Sequence, residues 1–334
     1  REIARISGSQ MHALGINLVQ APITDVLSYM GRTTIKVASF GEDPHFVAEH
    51  AAAMMQGFGE SGIAVMIKHF PGYGATAVDA HKGMARVDKT LDELNDHDLI
   101  PVRTCIEKGA DGIMTGHVSM PKIDETGIPA TLSKKILGIV RNELGFEGII
   151  ESDALRMPAV QQRWGTAGAA VKAVQAGCDV VLFRGEEPHF MEGYEAIVRA
   201  VTSGEIPEER LDQSIRRIWR VKKRIGLLDN WTRDPSAASA PFISENSKKL
   251  SRELARKSVV VIRSDPEKLP LRYPPESHGV VISPKPSKID GKDDPFQCVD
   301  MLYQAVKNRH TNVTSVLTEL EPSHEEISRA FAAA

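Results

Sequence analysis

Up to about residue 228 the chain repeats one pattern, in which short apolar, β-branched runs alternate with amphipathic helical stretches. The runs are GINLVQAPI (15–23), GIAVMIKHF (62–70), DGIMTGHV (111–118), GFEGIIESD (145–153) and DVVLF (179–183). Between them lie helical patterns such as DPHFVAEHAAAMMQGF (43–58), LDELNDHDLIPVRTCIEKG (91–109) and TLSKKILGIVRNELG (131–145). In the last, Ile136, Leu137, Val140 and Leu144 share one face and Gly145 supplies the stop. Near-continuous apolar strands separated by helices predict a parallel sheet covered on both faces.

The ends of the strands narrow the choice of architecture. Each run finishes in a polar group: Asp25, then Lys68-His69, His117, Asp153 and Arg184. An open doubly wound sheet gathers its ligands at one crevice, whereas a (β/α)8 TIM-type barrel collects chemistry from the C-terminal ends of many strands. No strand is followed by GxGxxG or GxxxxGK, so the nucleotide-binding alternative has no motif to support it. Five polar strand ends therefore predict a barrel. Only five strands are legible, and the opening REIARISGSQMHALGI reads as a helix tail running into a strand. The expectation is a barrel whose N-terminal unit or units lie outside this sequence.

Residues 229–243, DNWTRDPSAASAPFI, are rich in Pro, Ser and Ala and read as a linker. A smaller, possibly incomplete α/β sandwich domain is expected over 244–334, with a helix at 244–258, strands at 259–263 and 279–283, and a helix at 298–308. The expected domains are thus 1–228, the linker and 244–334.

A net charge of −3 gives no electrostatic case for binding nucleic acid or a membrane surface. The basic run RRIWRVKKR (216–224), interleaved with Ile215, Ile218, Trp219 and Ile225, reads as a solvated helix face. Cys105, Cys178 and Cys298 form neither a metal pattern nor a disulfide framework, which suits a reducing, cytoplasmic compartment. No apolar run reaches the length of a bilayer span.

The candidate chemistry gathers in KHFPGYGATAVDAHKG (68–83). In an extended loop Asp79 and His81 point the same way, and such a pair is a competent general acid/base or an inconsequential surface pair. Lys68-His69 ends a strand, so one of its side chains faces the core or the barrel mouth. A satisfied core histidine and a sugar ligand are both open there. Asp153 ends GIIESD; it is either the N-cap of a helix starting at ALRM or a carboxylate aimed at the barrel mouth as a nucleophile.

The strings KHFPGYGATAVDAHKG, PATLSKKILGIVRNELGFEGIIESDALRM and SFGEDPHFVAEHAAAMMQGF resemble glycoside hydrolase family 3, in its NagZ-type β-N-acetylglucosaminidase branch. The resemblance spans residues 1 to 265 and implies a retaining, exo-acting glycosidase on terminal β-linked N-acetylglucosamine that needs no metal or organic cofactor. It implies Asp153 as nucleophile, His81 as acid/base charged by Asp79, and Lys68, His69, Asp25 and His117 around the sugar. A His-Asp pair replaces the second carboxylate usual in retaining enzymes; near a forming glycosyl–Asp153 ester, a neutral imidazole repels anionic acceptors less than a carboxylate would.

The chain departs from the family pattern at Tyr73 and Ala75, where the loop usually reads KHFPGHGDT, and at Ala38, where Arg usually precedes SFGED. An upstream DQEGG segment is absent from the sequence. A β-glucosidase or glycoside phosphorylase on the same scaffold, and a non-catalytic sugar-binding relative, remain alternatives. So do chitin oligomers, muropeptides and glycans as natural substrates.

Overall fold

The computed structural model describes residues 1–28, 35–76, 78, 83–185, 187–229, 244–260, 274, 276–284, 301–319 and 322–333. Contacts divide the chain into a first unit, Arg1–Leu254, and a second, Ala255–Ala334.

The first unit opens with helix α1 (Glu2–Ala13) and strand β1 (Leu18–Val19), followed by the short helix α2 (Ile35–Ala38). Helix α3 (Pro44–Glu60) starts where Asp43 accepts hydrogen bonds from the His45 and Phe46 amides, with proline in the first turn, where no amide hydrogen is needed. Strands β2 (Ala64–Phe70) and β3 (Ala85–Arg86) come next. Helices α4 (Leu91–Glu93) and α5 (Leu99–Glu107) are joined by a wide π-type turn, and α4 is opened by a capping box between Thr90 and Glu93. Strands β4 (Gly112–Thr115) and β5 (Val118–Ser119) lead to α6 (Lys134–Gly138), which Ser133 caps. Gly145, at φ 61, ends the helical stretch after a second π-type turn, as the spacing predicts. Strand β6 (Ile149–Glu151) precedes α7 (Pro158–Ala176), α8 (Glu187–Thr202) and α9 (Glu208–Arg224).

Strands β1-β2-β4-β6 form one sheet in that order, all parallel, and Val180 extends it through a parallel bridge to Glu151. The five apolar runs thus lie side by side in chain order. Among the described residues no strand pairing joins the first run to the last. The period of two along each strand sorts its side chains. Val65, Ile67, Ile113 and Ile150 join the large core containing Met55, Phe58 and Val102 of the covering helices. Ala64, Met66, Met114 and Ile149 join a second cluster with Leu18, Val180, Leu182 and Val221. Continued toward the C-terminal strand ends, the alternation that carries Ala64, Met66 and Ile149 places Lys68 and Glu151 on that second face.

Arg216, Arg220, Lys222, Lys223 and Arg224 of the basic run on α9 are exposed, as its reading as a solvated face expects, while one stripe of arginines on the same helix is paired with strand aspartates. Arg210 and Arg217 reach Asp179 at 3.3 and 3.1 Å, and Arg224 reaches Asp111 at 2.5 Å. Spaced by seven residues, these arginines line one stripe of α9, against aspartates at the N-terminal ends of strands. Ile215 and Trp219 are exposed as well, at 49% and 59%. The pairing of Arg210, Arg217 and Arg224 was not legible because their aspartate partners are distant in sequence.

Helix α10 is Glu245–Lys257, and the elements after it belong to the second unit. Strands β7 (Gly279–Pro284) and β8 (Val313–Thr318) pair in parallel, with α11 (Met301–Lys307) between them and α12 (His324–Ala333) after. The strand VTSVLT is absent from the sequence reading, whereas the structure pairs it residue by residue with GVVISP. The strand expected at 259–263 lies partly, and Cys298 wholly, outside the described residues.

Candidate active site

Every strand-end group read from the sequence lies at the same, C-terminal edge of the parallel sheet. The structure then divides those groups into residues that face the site and residues that hold it together.

Asp25 belongs to the second kind. Its side chain is fully buried, and both oxygens are engaged. Oδ2 accepts from His69 Nδ1 at 2.9 Å and from the His69 amide at 3.3 Å, and Oδ1 accepts from the Tyr73 amide at 2.6 Å. The Asp25 carbonyl accepts from Ser39 at 2.7 Å. Buried and with both oxygens on protein donors, this carboxylate presents no exposed oxygen to a ligand. This corrects the substrate-binding expectation: Asp25 acts through His69, fixing Nδ1 as the hydrogen-bonded nitrogen.

His69 Nε2 and the Lys68 ammonium make no hydrogen bond to any described residue, and both side chains are half-buried. They are the groups in this region with donor or acceptor capacity left for a ligand. Gly74 allows the chain to double back here, since a Cβ would lie 1.6 Å from the Val26 carbonyl oxygen. Ala38 ends α2 and is exposed, and Ala75 packs against the large core.

Asp153 follows β6 directly. Its Oδ1 accepts from the Ala154 amide at 2.7 Å, and its own amide donates to Thr115 Oγ1 at 3.4 Å. Residues 155–157 form a turn and α7 begins only at Pro158, with Met157 as its cap. The N-cap alternative is thereby removed. Ser152, fully buried, accepts from the Leu182 amide at 2.9 Å and pins this strand end to its neighbour.

His117 occupies a different place from the one expected. It is fully buried; Nδ1 lies 2.9 Å from Thr131 Oγ1 and Nε2 lies 3.0 Å from the Ala154 carbonyl oxygen. Its amide donates to the Tyr73 hydroxyl. With both ring nitrogens on protein partners, none remains for a sugar. Asp79 and His81, expected to carry the acid/base chemistry, lie outside the described residues.

The sequence reading passed over Glu151, two positions before Asp153 on the same strand. Glu151 is buried and accepts from the Gln20 amide at 2.9 Å. Burial pushes its carboxyl up to about 7; the charge of Asp153 adds to the rise, and Gln20 and Lys68 oppose it. A Glu in an otherwise apolar β-strand run was the available signal.

That shift has a consequence for stability. Between its ordinary value of 4.5 and about 7, the folded chain keeps a proton that the unfolded chain has lost. The burial penalty therefore grows as pH rises through this window and is fully present above it. Glu151→Gln retains an oxygen for the Gln20 amide and cannot ionise. It is expected to match the wild type at pH 4 and to exceed it by roughly 2–3 kcal/mol at pH 8. Urea unfolding at the two pH values measures the difference.

Residues 1–221 match the glycosyl hydrolase family 3 N terminal domain. The chain belongs to this family. It is 30% identical over 289 residues to beta-hexosaminidase A of Pseudoalteromonas piscicida, covering 81% of this chain and 48% of the relative. It is 36% identical over 230 residues to beta-hexosaminidase LpqI of Mycobacterium bovis, covering 66% of this chain and 58% of the relative. Among solved structures, a family 3 β-N-acetylglucosaminidase from a Paenibacillus species superposes with a TM-score of 0.91 at 30% identity, over 99% of this chain and 62% of that one. The chain thus spans about half the length of the curated relatives it matches. Family membership assigns the fold class: α/β, with an N-terminal domain of (β/α)8 TIM-barrel type.

No helix among the described residues is long and apolar enough to cross a membrane. Burial pushes the Cys105 thiol up to about 12 and raises that of Cys178 further, so both behave as inert core residues.

Proposed function

We propose that the chain is a retaining exo-β-N-acetylglucosaminidase. Its parallel sheet carries Asp153 at the end of β6 and the free ends of Lys68 and His69 at the end of β2, both on the edge where barrel enzymes hold their substrates. That shared edge is the observation that carries the reading; the similar Paenibacillus β-N-acetylglucosaminidase and the related beta-hexosaminidases support it.

In the first step the Asp153 carboxylate attacks the anomeric carbon and the glycosidic bond breaks. His81, charged by Asp79, gives its proton to the departing oxygen. In the second step His81 takes a proton from water, the hydroxide attacks the same carbon, and Asp153 is released. Lys68 and His69 hold ring hydroxyls, with Asp25 keeping His69 oriented. No step calls for a metal or an organic cofactor.

Hydrolysis of aryl β-N-acetylglucosaminide in preference to aryl β-glucoside, unchanged by added phosphate, is the expected result. Preference for the glucoside, or phosphorolysis, would transfer the chemistry to another sugar or acceptor, and binding without turnover would remove it. His81→Ala is expected to cost roughly 10²–10⁴-fold in kcat on alkyl glycosides and far less on nitrophenyl glycosides, whose leaving oxygens need no proton. Equal losses on both classes would show that His81 does not supply that proton.

A further inference from the structure

A closed run of polar contacts lies beneath Asp153 and returns to the residue after it. The Asp153 amide donates to Thr115 Oγ1 at 3.4 Å. Thr115 Oγ1 donates to Thr131 Oγ1 at 2.9 Å. Thr131 Oγ1 lies 2.9 Å from His117 Nδ1, and His117 Nε2 lies 3.0 Å from the Ala154 carbonyl oxygen. A carbonyl oxygen only accepts, so Nε2 carries a hydrogen whatever the charge on the ring. Thr115, Thr131 and His117 are all fully buried. The run begins and ends on adjacent residues, Asp153 and Ala154, and grips the backbone on either side of the reactive carboxylate's Cα.

A second contact ties this ring to the sugar-binding loop. The Tyr73 hydroxyl accepts from the His117 amide, while the Tyr73 amide donates to Asp25, the partner of His69. The Tyr73 ring also meets the His69 ring edge-on, with centroids 5.0 Å apart. Gly116 makes room for it, since a Cβ there would lie 2.8 Å from the Tyr73 ring. Tyr73 is thus a strut between the ends of β2 and β4.

We propose that Thr115, Thr131 and His117 are positioning residues that fix the segment bearing Asp153, with Tyr73 coupling them to the Lys68-His69 loop, so that His117 governs turnover rather than sugar affinity. The proposal rests on the reading of Asp153 as nucleophile. Its physical basis is the sensitivity of an in-line attack to placement: a 1 Å error costs on the order of 10²-fold in rate.

The two amide replacements of His117 separate this role from others. Gln places a donor near the position of Nε2 and can reach Ala154, whereas Asn mimics Nδ1 and cannot. With active sites counted by burst titration on the whole chain, His117→Asn is expected to lower kcat about 30-fold with KM within threefold of wild type. His117→Gln is expected to recover most of that loss. A tenfold rise in KM at near-normal kcat would make the ring a sugar ligand and overturn the proposal, as would equal kcat losses in the two variants.

Should the His117 variants fail to fold, Thr115→Val and Thr115→Ser carry the test. The isosteric valine is expected to lower kcat about tenfold, with serine restoring it; unchanged turnover in Thr115→Val refutes the network. Histidine-selective nitrogen NMR provides a readout independent of turnover: His117 must carry its hydrogen on Nε2, and a bare Nε2 refutes it. Asp153→Asn, measured alongside, keeps the two readings apart. Full activity there removes the nucleophile assignment, whereas a dead Asp153→Asn with a fully active His117→Asn removes this proposal alone.

Discussion

Asp153→Asn is expected to abolish turnover, lowering kcat by at least roughly 10³-fold on every aryl glycoside, including those with the best leaving groups. The substitution isolates charge from shape. Asparagine keeps an oxygen for the Ala154 amide, the 2.7 Å contact that shapes this strand end, and leaves the Asp153 amide free to donate to Thr115. The melting temperature should therefore stay within a few degrees of the wild type while the nucleophile is gone. Loss of activity together with loss of the fold would mean that the carboxylate is structural. Full activity in a pure, undeamidated variant would remove the double-displacement mechanism.

The second large effect is on stability, at the opposite ends of the strands. The Asp179 side chain is fully buried and holds three arginines: Arg141 at 2.5 Å, Arg217 at 3.1 Å and Arg210 at 3.3 Å. It also accepts from Ser214 at 2.7 Å and from the Ile150 amide at 2.9 Å. Arg141 is pulled down to about 10, chiefly by burial; Asp179 opposes the fall and the two neighbouring guanidinium groups add to it. Asp179→Ala leaves three cations facing one another with no anion among them, and an unpaired amide on β6. Breaking a buried ion pair from one side costs about 3–5 kcal/mol. For a unit of this size that corresponds to a fall in melting temperature of roughly 6–20 °C. Calorimetry on the variant measures it, and a change below about 1 kcal/mol would show the cluster to be electrostatically idle.

These two aspartates show where reading the residues alone succeeds and where it stops. Asp153 follows an apolar β-branched stretch and its place at a strand end was legible; Asp179 precedes such a stretch and its ion pairs were not. Asp153 stands at the end of a strand, where a barrel gathers its chemistry, within a string that matches a family motif. Asp179 stands at the start of one, and its meaning depends on Arg141, Arg210 and Arg217, which lie 31 to 38 residues away in sequence. The same limit explains His117. A histidine at a strand end is a reasonable candidate ligand until Thr131 and Ala154 are found on its two nitrogens. Glu151 was overlooked because the period of two assigns its face but not its depth, and depth is what moves its carboxyl to about 7.

Local chemistry determined a great deal without any coordinates. The alternation of apolar runs and amphipathic helices required parallel strands covered by helices, and Gly145 marked a stop. These features are legible because propensity, capping and periodicity act over a few residues, all of them adjacent in the chain. Only the tertiary structure decided which polar strand ends keep a hydrogen-bonding atom unengaged by described residues and which are used up inside the protein. That distinction rests on hydrogen-bond partners brought together across 14 to 44 residues, and a buried donor or acceptor has its role set by whichever partner the fold supplies.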